Sequence, residues 1–108
     1  MRVTIKTTKV YERSISKLLS EQEQYEIQNQ IAIDPFEWPV IHGTGGIRKA
    51  RFARDSMGKS GGGRVCYLYL SIHEVVYFLM AYSKNHKEDL SEKDKKKMRA
   101  LVQQILET

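Results

Sequence analysis

The spacing of apolar positions changes several times along the chain, and each change predicts a new element. Val3 and Ile5 alternate with polar residues up to Thr7, the two-residue period of a short edge-like strand. From Thr8 the period lengthens. Tyr11, Ile15, Leu18 and Leu19 recur at helical spacing and predict a first amphipathic helix. Ser20-Glu21-Gln22-Glu23 has the form of a capping box, so a second helix is expected from Ser20. Its apolar residues are few (Tyr25, Ile27, Ile31 and Ala32), which leaves much of it to solvent. Asp34-Pro35 ends it, because proline disfavours helical backbone in the residue before it.

Phe36 to Gly46 reads as a connector, since Pro39 and three glycines oppose regular structure. Phe36, Trp38 and Ile41 are expected to pin it against the core. Three strand signals follow. Ile47 to Ala53 alternates, with Ala50 and Phe52 on one face and Lys49 and Arg51 on the other. Arg64 to Leu70 and Glu74 to Tyr82 are rich in β-branched and aromatic residues. Asp55 to Gly63 reads as a glycine-rich tip, and Ser71-Ile72-His73 as a hairpin connection. The last strand is apolar on both faces, with Val76, Phe78 and Met80 assigned to one and Val75, Tyr77, Leu79 and Ala81 to the other. Such a strand belongs inside a sheet covered on both sides. Ser91, with Asp94 three residues on, opens a final helix. Its stripe is Met98, Leu101, Val102, Ile105 and Leu106. The expected order is β-α-α-β-β-β-α: an α+β domain spanning residues 1–108, with an antiparallel sheet, two N-terminal helices and one C-terminal helix.

Composition narrows what such a domain can do. The chain has 108 residues and a formal net charge of +5, which favours an anionic partner, nucleic acid before membrane. Cys66 is the only cysteine, so neither a disulfide framework nor a cysteine-rich zinc site is available. It lies in an apolar run, where a thiol stays protonated and unreactive. No apolar run approaches the length of a spanning helix, and the N-terminal residues lack a signal-peptide core. A cytoplasmic protein with no membrane partner is expected. His42, His73 and His86 have no metal-ligand spacing and no carboxylate cluster beside them, so neither metal nor cofactor is expected. Gly58-Lys59-Ser60 lacks the strand and helix context of a phosphate loop.

The chemistry concentrates in one stretch. Arg48, Lys49, Arg51, Arg54, Lys59 and Arg64 are opposed only by Asp55, and Lys84 and Lys87 follow the last strand. In a sheet of neighbouring strands these cations gather at strand ends and hairpin tips, where they can neutralise phosphates. The plainer reading is a solvated basic strand face. Tyr82 and Lys84, at spacing two, share a face if the strand continues. A tyrosine and a lysine beside arginines suit metal-free phosphoryl chemistry on RNA. Arginine supplies a bidentate fork for the charged phosphate, and a base ringed by cations is easier to deprotonate. Tyr82 serves equally well as a stacking platform for a base, or as a tyrosine at the core's edge.

Gly43-Thr44-Gly45-Gly46-Ile47-Arg48-Lys49-Ala50-Arg51, Gly62-Gly63-Arg64-Val65, and Tyr82-Ser83-Lys84-Asn85 with Asp89-Leu90-Ser91 together resemble the HigB branch of the RelE/ParE toxin superfamily. The resemblance covers nearly the whole chain and is most specific from Gly43 to Asn85. It implies the toxin of a type II toxin–antitoxin pair, with a cognate helix-turn-helix antitoxin as partner. It also implies entry into the ribosomal A site and metal-free mRNA cleavage, in which the 2′-hydroxyl attacks the adjacent phosphate. Lys49, Arg51, Arg64, Tyr82 and Lys84 match the family's catalytic positions, and Arg48, Arg54, Lys59 and Lys87 are assigned to RNA and ribosome binding. Asn85 stands where some relatives carry arginine, and Leu106-Glu107-Thr108 where others carry a catalytic tyrosine or histidine, so the general base stays unassigned. Two other functions fit the same features. One is a ParE-like gyrase poison, which needs no such basic cluster; the other is a non-catalytic nucleic-acid-binding module.

Overall fold

The computed structural model describes residues 3–53, 62–84 and 90–107. Arg54, Lys59, His86 and Lys87 lie outside the described residues, as does most of the glycine-rich segment. The element order is β1 (Thr4–Thr7), α1 (Lys9–Ser16), α2 (Glu21–Ile33), β2 (Arg48–Phe52), β3 (Gly63–Leu70), β4 (Val75–Ser83) and α3 (Glu92–Glu107). This is the α+β order expected from the sequence. The helix starts follow from their caps. Thr8 Oγ1 accepts from the Tyr11 N–H, and Ser20 and Glu23 form a reciprocal capping box. Ser91 and Asp94 repeat that box at α3, with bonds of 3.1 Å in both directions.

The sheet runs β1-β4-β3-β2. It is mixed, which corrects the expected antiparallel sheet: β1 pairs with β4 in parallel, and the other two pairings are antiparallel. The chain leaves β1 through two helices and a connector before it re-enters at the far edge with β2. The two hairpins that follow bring β4 back beside β1. As expected, β4 is interior. Tyr11, Ile15, Ile31, Val65, Tyr67 and Phe78 share a core on the α1–α2 side, while Cys66, Leu68, Leu79, Met98 and Val102 form a second core under α3.

A second correction concerns the faces of β4. Cys66 pairs with Met80 and Tyr67 with Phe78, so the register skips Leu79. This bulge puts Leu79 and Met80 together on the α3 side and returns Ala81 to the side of Phe78. Helix α1 stabilises it where β1 has ended. The Thr8 N–H donates to the Phe78 carbonyl at 3.1 Å, and Thr8 Oγ1 to the Leu79 carbonyl at 2.8 Å. The Ala81 N–H donates to Ser14 Oγ at 3.0 Å. Thus α1 covers the edge of β4 that β1 leaves open, and satisfies backbone groups that a bare edge would expose.

At the other edge the connector doubles back on β2. The Ile41 N–H donates to the Ile47 carbonyl at 2.7 Å, and the Lys49 N–H to the Pro39 carbonyl at 3.2 Å. Buried Thr44 pins the turn: its Oγ1 accepts from the Ile47 N–H at 3.1 Å and donates to the Ile41 carbonyl at 2.7 Å. Gly43 and Gly45 take φ of +82° and +81°, left-handed values that a side chain would strain. Arg99 of α3 donates to the Gly43 carbonyl at 2.6 Å and ties the turn to the last helix. Trp38 and Ile41 are half-buried against the two cores, as expected. Phe36 and Leu106, also expected in the core, are 60% and 58% exposed.

Candidate active site

Three of the candidate residues stand in one cross-strand row. Arg51 of β2 pairs with Arg64 of β3, which pairs with Tyr82 of β4. Residues paired across a sheet present side chains to the same face. Lys49 begins the next parallel row, with Cys66 and Met80. The Lys84 N–H donates to the Gly62 carbonyl at 2.9 Å, which fixes its backbone beside the start of β3. The sheet therefore gathers Arg51, Arg64, Tyr82 and Lys84 where β2 ends, β3 begins and β4 ends, with Lys49 one same-face row further along, although up to 35 positions separate the five in sequence.

Burial divides them. Arg64 is 7% exposed and Tyr82 6%, while Arg51 and Lys84 are exposed and Lys49 is half-buried. Arg64 sits on an interior strand between Arg51 and Tyr82, and its Nη1 donates to the Gly63 carbonyl at 3.1 Å. A buried, anchored guanidinium has little freedom to move, which suits a group that must meet a phosphate in one geometry. Tyr82 packs with Leu90, Met98 and Leu79 in the α3 core, so it is not an exposed platform for a base. Strand β4 ends at Ser83, and Lys84 follows in a turn rather than continuing the Tyr82 face.

Arg51 and Arg48 are turned toward the connector. The Arg51 guanidinium lies 5.9 Å from the Trp38 ring centre, and that of Arg48 lies 5.3 Å from the Phe36 ring centre. Arg48 also donates to the Trp38 carbonyl at 2.6 Å. Sequence reasoning treated Phe36 and Trp38 as packing residues and missed this pairing. The signal was present in the aromatic residues at 36 and 38 preceding arginines at 48 and 51.

Among the described residues no group of three histidines, cysteines, aspartates or glutamates is placed to hold a metal ion. His42 and His73 are exposed, and Cys66 is buried, as its apolar neighbours imply. Burial also changes the acidity of two core tyrosines. Tyr67 is pushed up to about 12 by burial against the opposing pull of Arg48, and Tyr11 is also raised by burial. An apolar groove between α1, β4 and α3, lined by Thr8, Val10, Leu79, Met80, Met98 and Leu101, is separate: none of the five gathered residues lines it. No described helix is long and apolar enough to cross a membrane.

The family model for the RelE toxin of the RelE/RelB toxin–antitoxin system matches residues 5–108. The chain belongs to this family. Its fold is similar to that of an arginine-to-alanine double mutant of the Escherichia coli toxin RelE in the free state. The TM-score is 0.55 at 17% identity, over 82% of this chain and 90% of that one. The intact E. coli RelBE toxin–antitoxin complex has a chain similar at TM-score 0.56 and 13% identity, over 76% of this chain and 96% of that one. A conserved hypothetical protein of Helicobacter pylori gives 0.56 at 14% identity, over 78% and 97%. At these identities the likeness concerns the fold, and family membership rests on the match to the RelE model.

Proposed function

We propose that this RelE-family chain cleaves messenger RNA on the ribosome and is held in check by a cognate antitoxin. The observation that carries the reading is the buried Arg64, fixed between Arg51 and Tyr82 with Lys49 and Lys84 nearby. In the proposed reaction the 2′-hydroxyl attacks the adjacent phosphorus. The bond to the 5′-oxygen breaks, leaving a 2′,3′-cyclic phosphate and a 5′-hydroxyl. The proton lost by the attacking hydroxyl passes to a base, and the leaving oxygen gains one.

Charge on the non-bridging oxygens rises toward the transition state, so a fixed cation stabilises that state more than the bound substrate. Arg64 supplies this cation as a guanidinium, which remains charged at any relevant pH. Lys49 adds a second cation from the neighbouring row. Arg51 guides the strand from its place over Trp38. Tyr82 and Lys84 are the candidates for proton transfer, Tyr82 from the core side of the row and Lys84 from the turn. Arg48, Arg54, Lys59 and Lys87 contribute phosphate contacts to RNA and ribosome.

A gyrase poison of the same fold has no use for a buried arginine in a row with a tyrosine, which is why cleavage is preferred. The test is inducible expression followed by mapping of message ends. Arg64→Ala is expected to abolish cleavage and growth arrest, and a folded Arg64→Ala chain that still cuts message would end the proposal.

A further inference from the structure

The connector between α2 and β2 presents an exposed ring that the proposed cleavage chemistry does not use. Phe36 stands largely in solvent, yet its ring is held in place. Tyr69 meets it nearly edge-on, with ring centres 5.0 Å apart and planes at 79°. Arg48 covers it from 5.3 Å and is itself fixed by its bond to the Trp38 carbonyl. Beside it Trp38 rests on the α1–α2 core and carries the Arg51 guanidinium. Two cation-on-ring pairs, Phe36–Arg48 and Trp38–Arg51, thus flank the outer edge of β2. The rise of three strand residues sets the two arginine Cα positions about 10 Å apart.

Rings and guanidinium planes offered side by side are the surface on which unpaired bases stack, with arginine contributing both a plane and a charge. Charge alone does not account for the patch. Asp34 and Glu37 are exposed in the same connector, and their carboxylates offset the two arginines. Binding here has to draw on ring faces, which a duplex keeps stacked on its own neighbours. That favours an unpaired strand.

We infer that Phe36, Trp38, Arg48 and Arg51 form a stacking surface for single-stranded RNA on the outer edge of β2. The inference rests on the reading of this chain as an RNA-directed toxin, and it gives the strand a hold outside the cleavage row. Arg51 links the two, because its backbone is in register with Arg64 while its guanidinium lies on Trp38.

Trp38 is the only tryptophan in the chain, so intrinsic emission reports on this patch. The probe is a short 2′-O-methyl oligoadenylate, which has no free 2′-hydroxyl and cannot be cut by the proposed route. Titration into the full chain should quench Trp38 emission to saturation. Phe36→Ala should weaken binding by about 5- to 100-fold with unchanged melting and an unchanged salt slope. Arg51→Ala should lower the salt slope by about one unit. Phe36→Tyr should keep the affinity, and Glu37→Gln should raise it. The inference is overturned if Phe36→Ala binds as tightly as the parent, if emission is unaltered at saturation, or if a duplex of equal length quenches equally. Failure of the nuclease reading would look different: RNA would bind through Phe36 while translated message stayed intact in expressing cells.

Discussion

Replacing Arg64 separates two roles that its position combines. It is 7% exposed on an interior strand, so its aliphatic stem contributes to packing as well as its guanidinium to charge. Loss of a fixed donor at a developing oxyanion typically lowers the rate about 100- to 1,000-fold, or about 3 to 4 kcal/mol. Truncating a buried side chain costs on the order of 1 to 3 kcal/mol of stability. For a domain near this size each kcal/mol lowers Tm by roughly 4 to 8 °C. Arg64→Ala alone therefore confounds a missing cation with a loosened sheet. Arg64→Met keeps most of the volume without the charge, and Arg64→Lys keeps a charge without the planar fork. Single-turnover cleavage on programmed ribosomes, at saturating toxin, should fall by at least about 100-fold in Arg64→Met and recover little in Arg64→Lys. Thermal melting of each variant supplies the fold control. A well-folded Arg64→Met chain that cleaves at near the parental rate would remove Arg64 from the chemistry.

Three further outcomes follow from the same structure. Ser14→Ala removes the acceptor of the Ala81 N–H beside the β4 bulge, and should cost about 1 to 3 kcal/mol by chemical denaturation; an unchanged midpoint would mean that the bulge does not depend on α1. Tyr67 has a folded pKa of about 12 against an ordinary 10.0, so the folded state holds its proton more tightly. Its contribution is complete below pH 10 and is lost as pH rises through about 12. The difference in unfolding free energy between the parent and Tyr67→Phe should therefore shrink across that window, and a constant difference would contradict it. Because the proposed transfer draws only on Arg64, Lys49, Tyr82 and Lys84, cleavage should survive a chelator specific for transition metals, with magnesium supplied to keep ribosomes intact; activity restored only by a transition metal would refute this.

Local chemistry made much of the fold legible. The two capping boxes, the proline after Asp34 and the alternation of β2 act over a few residues, so the elements fall close to their expected places. What failed depends on contacts far apart in sequence. Nothing in Thr4–Thr7 specifies a parallel partner, because that pairing is set by how the two hairpins return β4 to β1. The bulge at Leu79 was hidden for a related reason: a strand apolar on both faces reads the same whichever way its parity runs. Arg64 and Tyr82 were placed correctly along their strands, but their burial was not visible, since a basic residue after glycines reads as exposed. The site's row is legible only once the register is known, when Arg51, Arg64 and Tyr82 fall opposite one another. Phe36 shows the converse failure, because an aromatic residue in a connector reads as a core anchor until its exposure is measured.

The most direct test of the account is the chemistry of message ends after induction of the chain in growing bacteria. Primer extension and 3′-end analysis should show cuts confined to translated regions. The upstream fragment should end in a 2′,3′-cyclic phosphate and the downstream fragment should begin with a 5′-hydroxyl. Removing the start codon from a reporter should abolish cutting of that reporter. Growth arrest with intact messages and normal amino-acid incorporation would contradict the account and point to gyrase instead.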